Sequence, residues 1–388
     1  MTRSLEDQLK IAKQLFIWHR ATFRIVGLWP LEPTIWLFHT WFLYDAFHIF
    51  MGYVELVLAL GNIERVIANI TETALGSMII IKLVLLKYSG TLRETLILAE
   101  DGISEKLFLE TKEKEIYAVY SAIAMKFVKW MSAFTFMSSV LYHVKPLQAV
   151  LKAVLANETI PLLLPYRSHL PFPITDTTTY ILVYLYQSPL MYVHAFHTLS
   201  ASFLITLTLN ASGHLAILAR RIRSIEPNTS EILEVKLGNF VRRYQEIVRF
   251  AKSIDKSFRL ILLVELVITT MCLALASYNV LVQAGHVDTT TFITFITYVF
   301  TMLLIIFAYC SAGEYLITES WNVHDAYYDC DWLELSSSYR KSLTLSLIGT
   351  ERVLKLTAGG FYTFSLGGFT NILKSAMAYV SMLRTLVL

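Results

Sequence analysis

Apolar residues fall into seven long runs along the chain, separated by segments that hold most of the charge. A run of about 20 mainly apolar residues is long enough for a helix to cross the hydrocarbon core of a bilayer. The pattern predicts transmembrane helices at roughly 36–59, 67–87, 124–147, 178–209, 258–282, 291–313 and 361–386. We therefore expect an all-α polytopic membrane protein with seven transmembrane helices, formed as one unit by residues 1–388.

Two polar connections between these runs have helical character over their whole length. Residues 210–257 and 314–357 are expected to extend helices beyond the bilayer and to pack into a common cytosolic anchor. The stretches "LEDQLKIAKQLFIWHRATF" and "YRKSLTLSLIGTERVLKL" are amphipathic, with leucine and phenylalanine along one face. The first stretch also suits an interfacial helix, but for both we favour packing on the protein's own cytosolic side.

Composition agrees with a membrane protein and excludes an ordinary soluble domain. The 388 residues are 55% hydrophobic and only 16% charged, and the mean hydropathy is +0.53. The three cysteines, Cys272, Cys310 and Cys330, are too few for a disulfide framework. We expect them to be free thiols.

The distribution of lysine and arginine predicts the orientation of the chain. Only Arg65, Lys145, Lys152 and Arg167 lie in connections on one side, and nearly all other basic residues lie on the opposite side. Because basic residues accumulate in cytosolic loops, the N-terminus is expected in the cytosol and the C-terminus outside the cell. This orientation is the reverse of that of a G-protein-coupled receptor.

No enzyme motif is present. The chain has no phosphate-binding glycine loop, no zinc-protease HExxH motif and no GxSxG nucleophile elbow, so we expect no catalysis, no cofactor and no metal. His194 and His197 stand at helical spacing in the fourth span. For them we favour a cavity or a neighbouring helix over metal ligation, because no cysteine or carboxylate shares their turn.

Ionisable side chains inside the predicted spans are costly and therefore informative. Asp45 and Lys82 lie at similar depths in the first two spans, which predicts a structural ion pair between them. Glu265 lies about two turns into the fifth span. For this carboxylate, pairing with another helix and contact with water both remain open.

Aromatic and hydroxyl side chains in the outer halves of the spans predict a binding site for a small, mostly apolar ligand. In the fourth span Tyr180, Tyr184 and Gln187 share one helical face, and Pro189 interrupts the backbone pairing. The alternative is ordinary helix packing. The candidate ligand-binding residues are Phe134, Met137, Ser138, Tyr142, Tyr184, Gln187, Ser188, Met191, Tyr192, Phe295 and Tyr298.

The connection before this span is rich in proline at positions 161, 165, 171 and 173, so we expect a stiff lid rather than a flexible tether. Asn157 in the same connection is the one plausible glycosylation acceptor among four Asn-x-Ser/Thr triplets.

Several motifs occur in the order and spacing of one known family. The segments "YCSAGEYLITES" (309–320), "YYDCDW" (327–332), "YRKSL" (339–343) and "KLTAGGFYTFSLGGFTNILKSAMAYVSMLR" (355–384) resemble the C-terminal signature of insect odorant receptors. "LPFPITDTTTYILVYLYQ" (170–187) is similar to the family's proline-rich outer loop and the start of its fourth helix. The ending "AYVSMLRTL" differs from that of the family's shared co-receptor, so the chain resembles a ligand-tuning subunit.

This resemblance implies a ligand-gated, non-selective cation channel in the plasma membrane of a sensory neuron. Odorant would bind in the outer half of the subunit, which would form a tetramer with co-receptor subunits around one pore. The resemblance places the gate at Met382 and Leu386, with Thr385 in a polar ring; Ala378 shares their helical stripe. The alternatives are a seven-span receptor that couples to a soluble transducer, a gustatory-type channel, and a transporter.

Overall fold

The computed structural model describes residues 5–102, 108–155, 162–224, 230–283, 289–330 and 337–387. Asn157 lies outside these residues. The all-α prediction is confirmed, since the described part of the chain holds helices and one short hairpin. The elements are α1 (Leu5–Ile25), α2 (Ile35–Leu58), α3 (Ile63–Lys87), α4 (Leu92–Asp101), α5 (Thr111–Leu155), α6 (Thr177–Gln187), α7 (Leu190–Arg223), α8 (Ser230–Gln283), α9 (Thr289–Tyr328), α10 (Ser337–Thr350), β1 (Thr357–Ala358), β2 (Tyr362–Thr363) and α11 (Leu366–Val387).

The predicted spans coincide with helices: α2, α3, α5, the α6 and α7 pair, α8, α9 and α11. Within the described ranges, five segments are long and apolar enough to cross a membrane: Ile35–Leu58, Arg65–Lys87, Thr177–Arg223, Val235–Leu275 and Ile296–Tyr328. Where the bilayer begins and ends on each helix stays a prediction, as does the orientation of the termini. We call the end of the bundle near residues 162–176 the loop end, and the opposite end the base.

Helix α7 is the axis of the bundle. Almost all of its side chains are buried, and it packs most extensively against α5 and α9. Serine and threonine along it, such as Ser202 and Thr206, donate their hydroxyls to carbonyl oxygens of their own helix. Small polar residues can therefore lie at the centre of the bundle with their hydrogen bonds satisfied. Pro189 separates α6 from α7, as the sequence predicts.

Helix α1 packs on the protein's own bundle, as the favoured interpretation of the first amphipathic stretch predicts, and its cytosolic position stays a prediction. Phe23 is fully buried, and its ring lies 5.2 Å from Phe196 and 5.0 Å from Phe203 of α7. His19 Nε2 lies 3.0 Å from the Thr206 hydroxyl.

At the base, α5, α7 and α9 continue well beyond the apolar runs and are joined by polar contacts. The guanidinium of Arg221 on α7 forms two hydrogen bonds of 2.7 Å with the Glu113 carboxylate on α5. Tyr120 donates to Glu319 of α9 at 2.5 Å. Burial of Glu113 opposes ionisation, but hydrogen bonds from Arg221 and from main-chain N–H groups outweigh it and hold its pKa below the usual value.

The segment that leads into α11 is fixed to α8 and α9. The Thr357 N–H donates to Asp255 of α8 at 2.8 Å. Glu314 of α9 accepts the N–H of Leu366, the first residue of α11, at 3.0 Å. Carboxylates are favourable at helix N-termini, so this contact fixes the starting point of α11. Gly359 has a φ of +62°, a value that favours glycine in the hairpin turn.

Candidate ligand cavity

A cavity of about 160 Å³ lies towards the loop end, between α2, α3, α5, α7 and α9. Its walls are mostly apolar, with Ile49, Leu75, Met302 and Ile305 among the lining residues. Polar groups from several helices interrupt this surface at a few points. A mostly apolar cavity with a few convergent polar groups has the composition of a small-molecule site.

Tyr166 and Arg167 close the cavity at the loop end, and we call residues 162–176 the lid. Tyr166 is 5% exposed, and its hydroxyl lies 3.0 Å from Nδ1 of His194, which also lines the cavity. The Tyr166 ring lies 5.3 Å from Tyr142 and 5.2 Å from the His194 ring. The proline-rich connection therefore contributes a buried aromatic side chain to the cavity.

Glu72 of α3 joins the lid to two helices at the rim of the cavity. Its carboxylate accepts a hydrogen bond from the Tyr142 hydroxyl of α5 and another, of 3.0 Å, from the Arg167 N–H. The Arg167 side chain lies 3.9 Å from the same carboxylate. Three segments distant in sequence thus meet on one acidic side chain.

The far side of the cavity is formed by His197, behind which lies a buried ion pair. Lys82 Nζ lies 3.2 Å from a carboxylate oxygen of Glu265 and 3.3 Å from His197 Nδ1. The predicted Asp45–Lys82 pair is therefore wrong, because Lys82 extends towards α7 and α8 rather than α2. Glu265 is paired between helices, and Asp45 lines the cavity with its Oδ2 buried and without a hydrogen-bond partner among the described residues.

Three of the predicted ligand-binding residues line the cavity: Ser138, Tyr142 and Tyr298. Their side chains come from α5 and α9, both of which pack against α7. His194 and His197 line it too, so the preference for a cavity over a metal site agrees with the geometry. The described residues contain no cluster of three histidine, cysteine or acidic side chains arranged to hold a metal ion.

The predicted residues of the fourth span lie outside the cavity and hold neighbouring segments in place. Gln187 is fully buried and bonds the backbone of Tyr166, and Tyr184 donates to the His143 carbonyl. Ser188 caps its own helix through the Tyr184 carbonyl, and Tyr192 donates to Thr22 of α1. Their polar atoms bond within the protein, and none of the four side chains lines the cavity.

The remaining candidates also lie away from the cavity lining. Phe134 packs against Phe300 at 4.9 Å, Met137 is 42% exposed, and Met191 is half-buried. The Phe295 side chain lies outside the described residues. Direct ligand contact by any of these side chains stays a prediction.

Helix α11 packs on α8 and α9 with one side and leaves the other side uncovered in the subunit. Ile372 and Ala376 are buried, whereas Ser375, Ala378 and Met382 are exposed. The exposed residues are the stripe expected to line a pore. The side chains of Thr385 and Leu386, from the same prediction, lie outside the described part of the chain.

Long apolar helices around a mostly apolar cavity are the architecture of a multi-pass membrane protein with space for a small ligand. The chain belongs to the 7tm odorant receptor family, whose model matches residues 62–377. The resemblance inferred from the C-terminal motifs is confirmed.

Relatives and solved structures agree with this assignment. The chain is 22% identical to odorant receptor 13a of Drosophila melanogaster, with 93% of each chain covered. It is 27% identical to the odorant receptor coreceptor of Harpegnathos saltator, but over only 37% of this chain and 30% of that one. Full-length similarity to an odorant receptor and partial similarity to a co-receptor agree with a ligand-tuning member.

The fold matches that of a solved insect olfactory receptor. The structure of OR5 from Machilis hrabei has a TM-score of 0.82 with 15% identity, and covers 96% of this chain and 97% of its own. The structure of the same receptor in complex with eugenol has a TM-score of 0.83 with 14% identity, and covers 99% of this chain and 100% of its own.

Proposed function

We propose that this chain is the odorant-binding subunit of a ligand-gated, non-selective cation channel in the plasma membrane of a sensory neuron. The observation that carries the proposal is the mostly apolar cavity of about 160 Å³ between α2, α3, α5, α7 and α9. Family membership supports the odorant as the ligand.

The cavity favours a small ligand that is mostly apolar and carries a polar atom. An apolar protein cavity of about 150 Å³ can hold benzene, so this cavity suits a ligand with about one ring. The hydroxyls of Ser138 and Thr135 and the His194 ring lie among its apolar walls. The eugenol complex of the Machilis receptor supports a ligand of this size.

The exposed side of α11 supports a pore formed between subunits. Ser375, Ala378 and Met382 follow one another at three to four residues along the uncovered side of the helix. Small residues followed by a large apolar one suit a vestibule that narrows to a constriction, which closes a pore by excluding water. We assign Met382, Thr385 and Leu386 to this gate and place Ala378 below it.

We propose that the channel is a tetramer of this chain and co-receptor subunits. Helices α7, α8 and α9 extend beyond their apolar runs towards the base, and α10 packs against α8 and α9; these segments supply the surface for an anchor between subunits. The partial similarity to co-receptors of ants and mosquitoes supports a shared assembly surface in part of the chain.

Current recordings with a panel of small volatile ligands test this proposal. The chain is expressed alone and together with an insect co-receptor. Cells that express only the co-receptor are the control. We expect ligand-evoked cation currents in cells that express both subunits. The same ligands should evoke no current in cells that express only the co-receptor. Ligand-evoked signals that need a soluble transducer and carry no direct current would contradict the channel assignment.

A further inference from the structure

Four buried polar side chains lie together beside the cavity and join four helices. We call Lys82 of α3, His197 of α7, Glu265 of α8 and Tyr309 of α9 the relay cluster; none is more than 8% exposed. The Glu265 carboxylate is their common partner. The Tyr309 hydroxyl donates its single O–H between the two carboxylate oxygens, at 2.9 and 3.0 Å, and Lys82 Nζ lies 3.2 and 3.3 Å from the same two oxygens.

A buried charge is costly unless it is paired and hydrogen-bonded, and this cost is greater in a span than in a soluble core. An apolar set of side chains of similar volume would stabilise these helix contacts as well or better. A four-helix polar cluster in this position is therefore better explained by a role in function than by stability.

One side of the relay cluster is part of the cavity. His197 lines the cavity, and its Nε2 lies 3.5 Å from a Glu265 oxygen while its Nδ1 lies 3.3 Å from Lys82 Nζ. A ligand that contacts the His197 ring thus contacts a direct partner of both charges. Any rotation of that ring changes what Glu265 and Lys82 bind.

The other side of the relay cluster touches the segment that leads into α11. The Tyr309 ring packs edge-on against Phe364, with centroids 5.8 Å apart. One turn further along α9, a Cβ atom at Gly313 would overlap the Phe364 carbonyl oxygen. Phe364 is buried two residues before α11 begins. We call residues 364–366 the seat of α11. Tyr309 therefore contacts the seat of the helix that we assign to the pore.

We propose that the relay cluster couples ligand in the cavity to the position of α11, with Tyr309 as the positioning residue. Ligand contact moves His197, Glu265 redistributes its hydrogen bonds between Lys82 and Tyr309, and the Tyr309 ring changes its packing on Phe364. This inference rests on the proposed channel function. It requires that the seat has two positions and that the protein binds ligand in the cavity with a different affinity in each of them.

A second route from the cavity to α11 exists and must be separated from the first. Thr301, Met302 and Ile305 of α9 also line the cavity, and the same helix carries the seat of α11. If α9 moves as a rigid rod, the Tyr309 hydroxyl has no part in gating. The two routes differ in their dependence on that single hydroxyl group.

The Tyr309→Phe variant tests the relay, because it removes the hydroxyl and keeps the ring that packs on Phe364. Tyr327→Phe is the matched control, since Tyr327 is a buried tyrosine of the same helix whose hydroxyl has no hydrogen-bond partner among the described residues. Both variants are co-expressed with co-receptor. Ligand Kd is measured on the purified complex, and EC50 and maximal current are measured on cells.

For Tyr309→Phe we expect a ratio of EC50 to Kd, or a maximal current, altered at least about fivefold, the lower end of typical coupling between sites. Tyr327→Phe should match the wild type. If Tyr309→Phe behaves like Tyr327→Phe, or if its Kd and EC50 change by the same factor, the relay is overturned. Wild-type protein that binds ligand without any current would instead contradict the proposed function, and the relay with it.

A double-mutant cycle supplies a second test. Glu265→Gln keeps an acceptor for Tyr309 but removes the charge, and the Glu265→Gln/Tyr309→Phe double variant removes the link entirely. The relay predicts that the effects on the EC50 to Kd ratio are strongly non-additive, since both changes act on one contact. Additive effects would overturn it. Where Glu265→Gln lowers surface assembly, the isosteric Tyr309→Phe variant carries the test alone.

Discussion

The side-chain amide of Gln187 holds the backbone of Tyr166 through two hydrogen bonds. Its Nε2 donates to the Tyr166 carbonyl at 3.0 Å, and its Oε1 accepts the Tyr166 N–H at 3.1 Å. Nε2 also donates to the Ser168 hydroxyl at 3.1 Å. One buried amide on α6 therefore fixes the lid residue that closes the cavity.

Gln187→Ala should loosen the lid and weaken ligand response. The substitution leaves the buried N–H and C=O of Tyr166 without partners, at a cost of about 1–3 kcal/mol each in the closed lid. We expect the EC50 of an activating ligand to rise by about tenfold or more, in keeping with about 1.4 kcal/mol per tenfold change. Concentration–response curves measure this.

Ser188→Ala is the control for the lid, because the Ser188 hydroxyl bonds only the Tyr184 carbonyl of its own helix among the described contacts. Its EC50 should remain close to that of the wild type. Equal sensitivity in Gln187→Ala and wild type, at equal surface expression, would show that the lid does not retain ligand.

Gly313→Ala should disturb the seat of α11. A Cβ atom at this position would overlap the Phe364 carbonyl, which is rigid main chain and cannot move aside cheaply. We expect lower assembly at the cell surface or a shifted resting current. Gly238→Ala in α8 is the control, since no atom of the described residues outside its own helix backbone lies within 4 Å of a Cβ atom there. Wild-type behaviour of Gly313→Ala would contradict the close packing at Phe364.

The Arg221–Glu113 pair should stabilise the base in a pH-dependent manner. The pKa of Glu113 is lowered in the folded protein, so its contribution is present above the pKa of the unfolded chain and is lost as the pH falls through the folded value. Breaking a buried pair costs about 3–5 kcal/mol, and the partial exposure of Arg221 places the expected loss towards the lower end.

Thermal unfolding of the purified protein in detergent, followed from pH 7 into the acid range, measures this contribution. Glu113→Gln should lower the melting temperature at neutral pH and should reduce the loss of stability on acidification. Arg249 and Glu94 form an exposed pair, so Glu94→Gln provides a control that should change little. A Glu113→Gln protein with unchanged stability at pH 7 would contradict the role of the pair.

Met382→Ala should alter the closed channel if this residue is part of the gate. Met382 is 59% exposed on the uncovered side of α11, and alanine would widen and wet an apolar constriction there. We expect a larger resting current or a changed ion permeability in cells that also express co-receptor. Met377→Ala, exposed on the same helix outside the predicted stripe, is the comparison; equal currents for both variants would place Met382 outside the gate.

Apolar periodicity was enough to predict where the membrane-length helices lie, because the bilayer fixes the length of an apolar run. The helical character of residues 210–257 also predicted that helices continue beyond these runs, but it did not predict where one helix ends and the next begins. Helix α8 runs from Ser230 to Gln283, whereas its apolar run begins near residue 258. The preceding turns are stabilised by packing on other helices at the base, and such tertiary contacts leave only a weak local pattern.

The cavity was predicted in its general character and only in part by residue. Ser138, Tyr142 and Tyr298 line it, but Gln187 and Tyr184 face the lid and α5 instead. Helical spacing identifies which residues share a face, and it does not tell which neighbour that face meets. The available signal for Tyr166 was its position among prolines in a connection expected to be a stiff lid.

The partner of Lys82 could not be read from depth alone. Asp45 and Glu265 were both available carboxylates, and the choice depends on how α3 is rotated relative to α2 and α8. In the structure Lys82 Nζ lies against Glu265 and His197. Asp45 is therefore not paired with Lys82 and lies in the cavity wall. Rotation of a helix about its axis is set by packing on several neighbours together.

Filling the cavity tests the central claim most directly. Ser138 lines the cavity, and its neighbour Met137 on α5 is 42% exposed and lies outside the lining, so Ser138→Phe and Met137→Phe form a matched pair. With an activating ligand and co-receptor, Ser138→Phe should abolish the ligand-evoked current at normal surface expression, while Met137→Phe should respond like the wild type. Wild-type responses from Ser138→Phe would contradict ligand binding in this cavity.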